Sequence, residues 1–202
     1  MIMSCEFVIS WSAPIVPSVS LAGIPLGMHV REFDVGLSQY VADEAGSLYK
    51  FVGAPGLVLD RKIDESGEGG FAFYVADLAL TNWNLYYDSD KHPGVECRAL
   101  HVLVKDWEIY AVKVWMFECL AEGDKPVSSY QGKLPQGLGL GSFVCELLPF
   151  TELQFDTAEE WFYTDNNYGG LEVFGCGREL EEAPDQRIMA LTVIARSPFG
   201  SF

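Results

Sequence analysis

Six residues of this chain recur at a constant offset of 114 positions. The matching pairs are Gly23 and Gly137, Leu26 and Leu140, Gly27 and Gly141, Val30 and Val144, Glu32 and Glu146, and Tyr49 and Tyr163. Both copies contain a Gly-x-x-Leu-Gly turn, in which glycine permits a positive φ and a close approach to a sheet. The offset predicts an internal duplication, and chance recurrence among the 20 glycines of the chain is the alternative.

A duplication predicts two related halves, residues 1–122 and 123–202, packed into one compact unit. Apolar residues between 28 and 42 recur at helical spacing, which predicts a short amphipathic helix after the first turn. We expect each half to place a short helix on an antiparallel β-sheet, so the predicted fold class is α+β. The segment 121–126 breaks the strand pattern and is the expected joint between the halves.

Alternating and β-branched residues predict the strands of this sheet. The predicted strands cover 6–12, 57–59, 70–78, 100–105, 108–119, 170–174 and 188–195, with an acidic hairpin tip at 64–70. The segment 108–119 is apolar on both faces, with Tyr110, Val112 and Val114 assigned to one face and Ile109 and Trp115 to the other. Such a strand is expected at the centre of a sheet, covered on both sides.

The chain has 13 Lys and Arg residues against 29 Asp and Glu residues, which gives a net charge of −16. Hydrophobic residues make up 49% of the chain, enough to form a core, so the charge does not indicate disorder. A strongly negative protein repels nucleic acids and anionic membranes and attracts basic proteins. Composition therefore predicts a protein partner, and neither a nucleic-acid nor a membrane partner.

Between residues 146 and 185 the chain has eleven carboxylates and a single base, Arg178. Aromatic residues are interspersed among these acids, a pattern typical of interfaces in which buried rings supply affinity and rim charges speed encounter with a basic partner. The predicted partner-binding residues are Glu152, Asp156, Glu159, Glu160, Trp161, Asp165 and Tyr168, with a second group of Trp83, Tyr87, Asp88 and Asp90. A solvated acidic face whose rings point into the core is the alternative.

No motif of the chain predicts catalytic residues, a metal site or a cofactor. The glycine-rich segment 137–141 follows a proline rather than a buried strand, which is the wrong context for a phosphate-binding loop. Cys97 and His101 on one strand face would lie about 13 Å apart, too far to share a metal ion. Asp156 and Glu159 have the spacing of a helix N-cap with its reciprocal glutamate, which explains these acids without acid-base chemistry.

Five cysteines, at positions 5, 97, 119, 145 and 176, are odd in number and scattered among apolar residues, which predicts reduced thiols. The first residues include no basic segment, and prolines at 14 and 17 interrupt any export signal. No apolar run reaches the roughly 20 residues of a membrane-spanning helix. We therefore expect a cytoplasmic protein.

Three motifs in the second half form a set: Tyr130-Gln-Gly-Lys-Leu-Pro-Gln-Gly-Leu-Gly-Leu-Gly141, Trp161-Phe-Tyr163 and Gly170-Leu-Glu-Val-Phe174. With the short helix expected between the first two, this set resembles small bacterial immunity proteins. Those are cytosolic antidotes encoded beside toxins of interbacterial systems, such as Rhs-type and type VI secreted effectors. The resemblance covers about the last 70 residues, and Gly23-Ile-Pro-Leu-Gly27 is similar to a first copy of the same turn.

The resemblance implies that one chain binds one toxin domain tightly and occludes its active site, without catalytic residues of its own. It implies a monomer that forms a 1:1 heterodimer with its toxin. An effector chaperone or secretion adaptor is an alternative, and it would leave the toxic domain active. A small enzyme or ligand-binding domain is another, using a pocket between the halves, for example with His101 near Glu or Asp.

Overall fold

The computed structural model describes residues 7–81, 98–118 and 124–195. Within these ranges the chain forms one α-helix, α1 (Val30–Leu37), and twelve β-strands. The strands are β1 (Ser20–Leu21), β2 (Ile24–Pro25), β3 (Val41–Asp43), β4 (Leu48–Tyr49), β5 (Leu57–Ile63), β6 (Gly69–Val75), β7 (Arg98–Lys105), β8 (Glu108–Trp115), β9 (Leu153–Asp156), β10 (Trp161–Thr164), β11 (Leu171–Phe174) and β12 (Ala190–Ile194). Short 3-10 helices cover Ser38–Tyr40, Leu78–Leu80 and Val144–Leu147.

Ten of these strands form one antiparallel sheet in the order β3-β4-β5-β6-β7-β8-β12-β11-β10-β9, and β1 pairs with β2 separately. Strands β5 to β8 form one four-strand meander, and β9 to β12 form another. The last strands of the two meanders, β8 and β12, pair antiparallel, so both meanders run from an outer strand to the shared centre. The described chain is thus mostly a large antiparallel sheet with one short helix, which agrees with the predicted α+β class.

The five paired positions of β8 and β12 are centred on one residue pair. Lys113 lies opposite Thr192 at the centre of the pairing. On the two sides of this pair Trp115 lies opposite Ala190, and Ala111 lies opposite Ile194. Each of these β8 positions therefore has a counterpart 79 residues later in β12.

The two Gly-x-x-Leu-Gly turns attach to the meanders in the same way. The Gly27 N–H donates to the Ile109 carbonyl at 2.8 Å, and the Gly141 N–H donates to the Ile188 carbonyl at 2.9 Å. Gly27 and Gly141 have φ values of 75° and 82°, which residues with a side chain rarely adopt. Ile109 and Ile188 are again 79 positions apart, so the turns and the strands give the same equivalence.

The sequence match between Tyr49 and Tyr163 is different, because the two residues occupy unrelated strands. Tyr49 lies in β4, outside both meanders, whereas Tyr163 lies in β10, the second strand of its meander. The position of β6 that corresponds to Tyr163 is Ala72. The offset of 114 holds only around the turns, since the chain between turn and meander is longer in the first half and includes β3 and β4.

Helix α1 is shorter than the predicted 28–42. Its three buried residues recur at helical spacing and face the core. After the helix the chain forms a 3-10 turn, and Val41–Asp43 then pairs with β4. The equivalent segment of the second half, Val144–Leu147, is a single 3-10 turn.

The hydrophobic core lies against one face of the sheet. Phe33 of α1 packs edge-on against Phe71 of β6, with ring centroids 4.8 Å apart. The segment 6–12 was predicted as a strand, but its described part makes only an isolated bridge between Ser10 and Val52. Phe7, Ile9 and Trp11 are buried in the core, whereas Val8 is 56% exposed. The alternation therefore indicated one buried side and not pairing within the sheet.

A β-bulge changes the faces of β8 from those predicted. The register with β7 shifts between Leu103 and Val104, so that Ile109 lies opposite Val104. Ile109 is buried in the core together with Val112, whereas Tyr110 is 44% exposed on the other side. The central position of β8 was predicted correctly, but the assignment of Ile109 and Val112 to opposite faces was wrong.

A hairpin turn replaces the helix start predicted at Asp156. One carboxylate oxygen of Asp156 accepts the N–H groups of Ala158 at 2.8 Å and Glu159 at 3.2 Å, as the side chain of an N-cap does. The chain then reverses, with Glu160 at a φ of 62°, and Trp161 pairs opposite Asp156. The Asp156 carboxylate accepts the backbone N–H groups as predicted, but the predicted helix was wrong, and the aromatic residues that follow enter the sheet as β10.

The predicted joint 121–126 and the boundary between 122 and 123 lie partly or wholly outside the described residues. Just before them, the Glu118 carboxylate accepts the N–H groups of Val127, Ser128 and Ser129 at 3.0, 2.9 and 2.6 Å. This contact ties the chain after β8 to the start of the second half.

Across the described ranges, no helix is long and apolar enough to cross a membrane. Cys145 and Cys176 are free thiols, one half-buried and one exposed. The other three cysteines lie outside those ranges.

Tyr130 links the N-terminal segment to the second half. Its buried hydroxyl accepts the Ala22 N–H at 3.1 Å and donates to the Ala13 carbonyl. Tyr130→Phe removes this shared partner from both backbone groups, so we expect the free energy of unfolding in urea to fall by about 1–3 kcal/mol. Tyr110→Phe, at an exposed ring, is the control and should unfold like the wild type. Identical curves for Tyr130→Phe and the wild type would contradict this prediction.

Candidate functional site

The face of the sheet opposite the core, called the second face below, combines aromatic and charged side chains. Register and alternation place on it Asp60, Lys62, Gly70, Ala72, Tyr74, His101, Leu103, Lys113, Trp115, Trp161, Tyr163, Glu172 and Phe174. Most of these residues are partly buried rather than fully exposed. Polar groups held in a partly desolvated setting interact more strongly than groups in open water. The second face is therefore the candidate functional surface.

Lys113 lies at the centre of the second face, between two tryptophan rings. Its Nζ is 4.0 Å from the ring centroid of Trp161 and 5.3 Å from that of Trp115. The same Nζ lies 4.0 Å from Oε2 of Glu172, and the two side chains of this ion pair are each 18% exposed. A partly desolvated cation is attracted to ring faces as well as to a carboxylate, so these contacts hold the amine in place.

The pKa values of Lys113 and Glu172 are both shifted. Burial lowers the pKa of Lys113, and Arg98 lowers it further, while Glu172 and Glu159 act in the opposite direction. Burial raises the pKa of Glu172, and Glu159 adds to this shift, while Lys113 and the Thr192 hydroxyl oppose it. Each charge is therefore favoured mainly by the presence of the other.

Removing one member of this pair should destabilise the protein. Lys113→Met keeps an apolar stem against the two tryptophans but leaves the Glu172 carboxylate without its cation, and we expect the free energy of unfolding to fall by about 1–3 kcal/mol. The double variant Lys113→Met/Glu172→Gln should recover part of the loss. Urea unfolding of the wild type and the three variants of this cycle measures the coupling. Additive losses in the double variant would contradict the prediction.

A cavity of about 540 Å³ opens on the second face between β5 and β8. Its volume lies in the range occupied by small-molecule ligands. The small residues Gly70 and Ala72 line it, together with the rings of Tyr74 and Tyr110. A Cβ atom at Gly70 would lie 2.4 Å from the Val102 carbonyl oxygen, so only glycine fits there. The cavity lies within the first meander and not between the halves.

The cavity is more basic than the chain around it. Lys62, Arg98 and Lys105 line it, against two acids, Asp60 and Glu68. Lys62 Nζ donates a hydrogen bond to Asp60 Oδ2 at 2.6 Å, which balances two of these charges. The other three groups leave an excess positive charge, in a protein whose net charge is −16.

His101 lies in the wall of this cavity beside Arg98. Burial lowers the pKa of His101 to about 4, and the positive charges of Arg98 and Lys113 add to the shift. The imidazole is therefore neutral near pH 7 and offers one hydrogen-bond donor and one acceptor. Its ring centroid lies 6.5 Å from that of Trp115. The cavity wall therefore continues into the group formed by Lys113, Trp115, Trp161 and Glu172, called the Lys113 cluster below.

The depressed pKa of His101 predicts a loss of stability in acid. The unfolded chain takes up this proton near pH 6.5 and the folded chain only near pH 4, so stability is full above pH 6.5 and falls as the pH drops towards 4. We expect this residue to contribute about 1–2 kcal/mol of the loss, less than the full linkage value because the ring is partly solvated. Unfolding should therefore be less pH-dependent in His101→Gln than in the wild type.

The control for this pH profile is Gln39→Asn, which exchanges one uncharged side chain for another at an exposed position. Its free energy of unfolding should change with pH as that of the wild type does. Parallel pH profiles for His101→Gln and the wild type would contradict the prediction, because they would show that His101 takes up its proton at the same pH in the folded and the unfolded chain.

The structure brings four of the predicted partner-binding residues together. Asp156, Glu159, Glu160 and Trp161 occupy the turn between β9 and β10, called the acidic turn below (residues 156–161). Glu159 and Glu160 are exposed, whereas Trp161 is partly buried against Lys113. The acids of this turn thus border the second face.

Glu152, Asp165 and Tyr168 lie at the opposite end of the same hairpin. Three residue steps along β9 separate the two ends, which corresponds to about 10 Å. Glu152 is exposed, and the Tyr168 hydroxyl donates to the Gln136 side chain at 2.8 Å. The predicted set therefore forms two groups and not one continuous patch.

Asp165 has a structural role in the loop after β10. Its carboxylate accepts the Thr151 hydroxyl at 2.8 Å and the N–H groups of Glu152, Asn167 and Tyr168 at 2.8 to 3.1 Å. Burial raises the pKa of Asp165, but these hydrogen bonds outweigh it and hold the pKa below its usual value. Replacing this residue would open the loop, so it is a poor position for testing an interface.

The second predicted group, Trp83, Tyr87, Asp88 and Asp90, lies outside the described residues. The sequence analysis missed the Lys113 cluster and the cavity. A lysine two residues before a tryptophan within the apolar strand β8 was the available signal, since a charge there needs a partner. Its partners Trp161 and Glu172 lie on two other strands, which the sequence alone does not align.

Among the residues that the structure describes, no group of three or more His, Cys, Asp or Glu side chains is placed to hold a metal ion. No known protein family, curated protein or solved structure matches the chain. The functional interpretation therefore depends on the acidic turn, the Lys113 cluster and the cavity.

Proposed function

We propose that this chain is an immunity protein that binds one toxin domain with a basic surface and occludes its active site. The proposed complex is a 1:1 heterodimer formed in the cytoplasm, and inhibition needs no catalysis by this chain. The observation that carries the proposal is the acidic turn, where exposed carboxylates stand beside an aromatic ring at the border of the second face. Rim acids around a buried ring are typical of interfaces with basic partners.

Local geometry supports this role because it holds the acidic turn in one conformation. The Asp156 carboxylate closes the turn by accepting two backbone N–H groups. Trp161 lies over Lys113 and also packs against Phe174, with ring centroids 5.2 Å apart. A surface that is ordered before binding loses less conformational entropy when the partner arrives.

We also propose that the two halves of the chain are related by duplication. Two observations support this relation. The two meanders have matching strand order, and the Gly27 and Gly141 turns bind acceptors, Ile109 and Ile188, that are 79 residues apart, as the central pair Lys113 and Thr192 are. A duplicated meander offers a broad face with a pseudo-twofold axis at its centre.

The experiment that tests the function pairs partner capture with a toxicity assay. The tagged full chain is incubated with lysate of its native cells at low salt, and any stoichiometric partner is identified and expressed alone. We expect a basic protein that arrests growth by itself and is harmless when it is expressed together with this chain. A partner that stays toxic in the complex would instead favour a chaperone or adaptor. The absence of any 1:1 partner would refute the proposal.

Charge reversal in the acidic turn should slow association with that partner. We expect Glu159→Lys/Glu160→Lys to reduce the association rate about tenfold at low salt and to weaken its salt dependence, because both exposed charges steer the encounter. The control, Glu44→Lys/Glu65→Lys, makes the same change of net charge at exposed positions of the first half. Stopped-flow or surface-binding kinetics measure both variants. Equal slowing by the two variants would remove the acidic turn from the interface.

A second candidate function, binding of a small molecule, is favoured by the cavity between β5 and β8. A pocket of this size with a few polar groups and a perturbed histidine is a usual ligand site. Binding to the cavity and binding to a toxin use different parts of the second face, so each can be tested alone.

A further inference from the structure

The two meanders can be compared position by position on the second face. One row of opposed residues runs from Ala72 through His101 to Lys113, and its continuation runs from Thr192 through Glu172 to Tyr163. Counted outward from the central pair of Lys113 and Thr192, each side of the row has one residue on the next strand and one on the strand after it. Ala72 therefore corresponds to Tyr163, and His101 corresponds to Glu172.

The cavity exists because small residues of the first meander stand where the second meander has rings. The neighbouring row makes Gly70 the counterpart of Trp161, two positions along the strand from Ala72 and Tyr163. Trp161 fills this space in the second meander and packs against Phe174. In the first meander a Cβ atom at Gly70 would lie 2.4 Å from the Val102 carbonyl oxygen, so no side chain fits at this position. The small residues Gly70 and Ala72 line the cavity here instead of rings.

The charges around the two spaces are also different. Asp156 lies opposite Trp161, whereas Lys62 lies opposite Gly70. The position that Glu172 has in the second meander is held in the first by His101, which lines the cavity together with Arg98. Asp156 and Lys113 thus lie beside the Trp161 ring in the second meander, whereas Lys62, Arg98 and Lys105 outnumber Asp60 and Glu68 around the cavity in the first.

We propose that this cavity binds a small molecule in which a flat aromatic ring carries an anionic group, a carboxylate or a phosphate. The ring lies over the small residues Gly70 and Ala72. The anionic group faces His101 and Arg98, which line the cavity together. Tyr74 and Tyr110 provide further contact with the ring from the cavity walls.

The size and polarity of the cavity support a small ligand of this class. A volume of about 540 Å³ accommodates one or two fused rings with a short acidic substituent. Arg98 offers a planar set of donors that suits a carboxylate or a phosphate. The neutral His101 ring adds a hydrogen bond without requiring a second full charge to be desolvated.

The test uses three probes that separate ring from charge. Indole-3-acetate has both features, tryptamine has the same ring with a positive charge, and acetate has the charge without the ring. Isothermal titration of the full chain should show indole-3-acetate binding at least about tenfold more tightly than either other probe. Equal affinity for indole-3-acetate and tryptamine, or no binding of indole-3-acetate, would overturn the proposal.

Two variants place the binding in the cavity. Ala72→Leu fills the space above Gly70 and should weaken indole-3-acetate binding by about tenfold or more, while Arg98→Gln should reduce the preference over tryptamine. Arg178→Gln, at an exposed position of the second half, is the control and should bind like the wild type. Thermal unfolding of each variant confirms that it is folded. Unchanged affinity in folded Ala72→Leu would overturn the assignment to this cavity.

This inference does not depend on the proposed immunity function. Toxin neutralisation is measured by cell growth, whereas ligand binding in the cavity is measured by titration of the isolated chain with the probes. Loss of the probe by Ala72→Leu with neutralisation intact supports the cavity site by itself. Failure of the probes leaves the toxicity assay unaffected, so the two failures are distinguishable.

Discussion

The antiparallel pairing of β8 with β12 is the contact on which the rest of this structure depends. Each strand ends a four-strand meander, and without the other it would expose a row of unpaired backbone N–H and carbonyl groups. Pairing joins the meanders into one sheet and gives the core a continuous surface to cover. It also places Lys113 at the centre of the second face, within reach of Trp161 and Glu172 from the other meander.

The two meanders present different surfaces on the second face. In the second meander, large rings and acidic side chains fill the space on the second face. The exposed acidic turn lies at one end of this meander. In the first meander, Gly70 and Ala72 leave a cavity with an excess of positive charge. Protein binding at the acidic turn and small-molecule binding in the cavity are therefore compatible proposals, because the two sites share the sheet but not their side chains.

The strands at the centre of the sheet were predictable because they are long and clearly patterned, as β7 and β8 show. Short strands contain few alternations, and β9 and β10 were not predicted, whereas β11, also of four residues, was. At Asp156 the local signal was ambiguous, since the same side-chain contact starts a helix or closes a hairpin. The acidic turn was nevertheless found as a candidate, because clustered charge is visible without any fold.

The sequence by itself determined the net charge, the glycine turns that need positive φ, the central strands and the acidic stretch. These are properties of single residues or of neighbours along the chain. Only the tertiary structure decided which face each strand presents, because a single bulge moved Ile109 into the core and left Tyr110 exposed. It also decided which distant side chains meet, since the Lys113 cluster and the cavity are assembled by strand pairing between residues far apart in the chain.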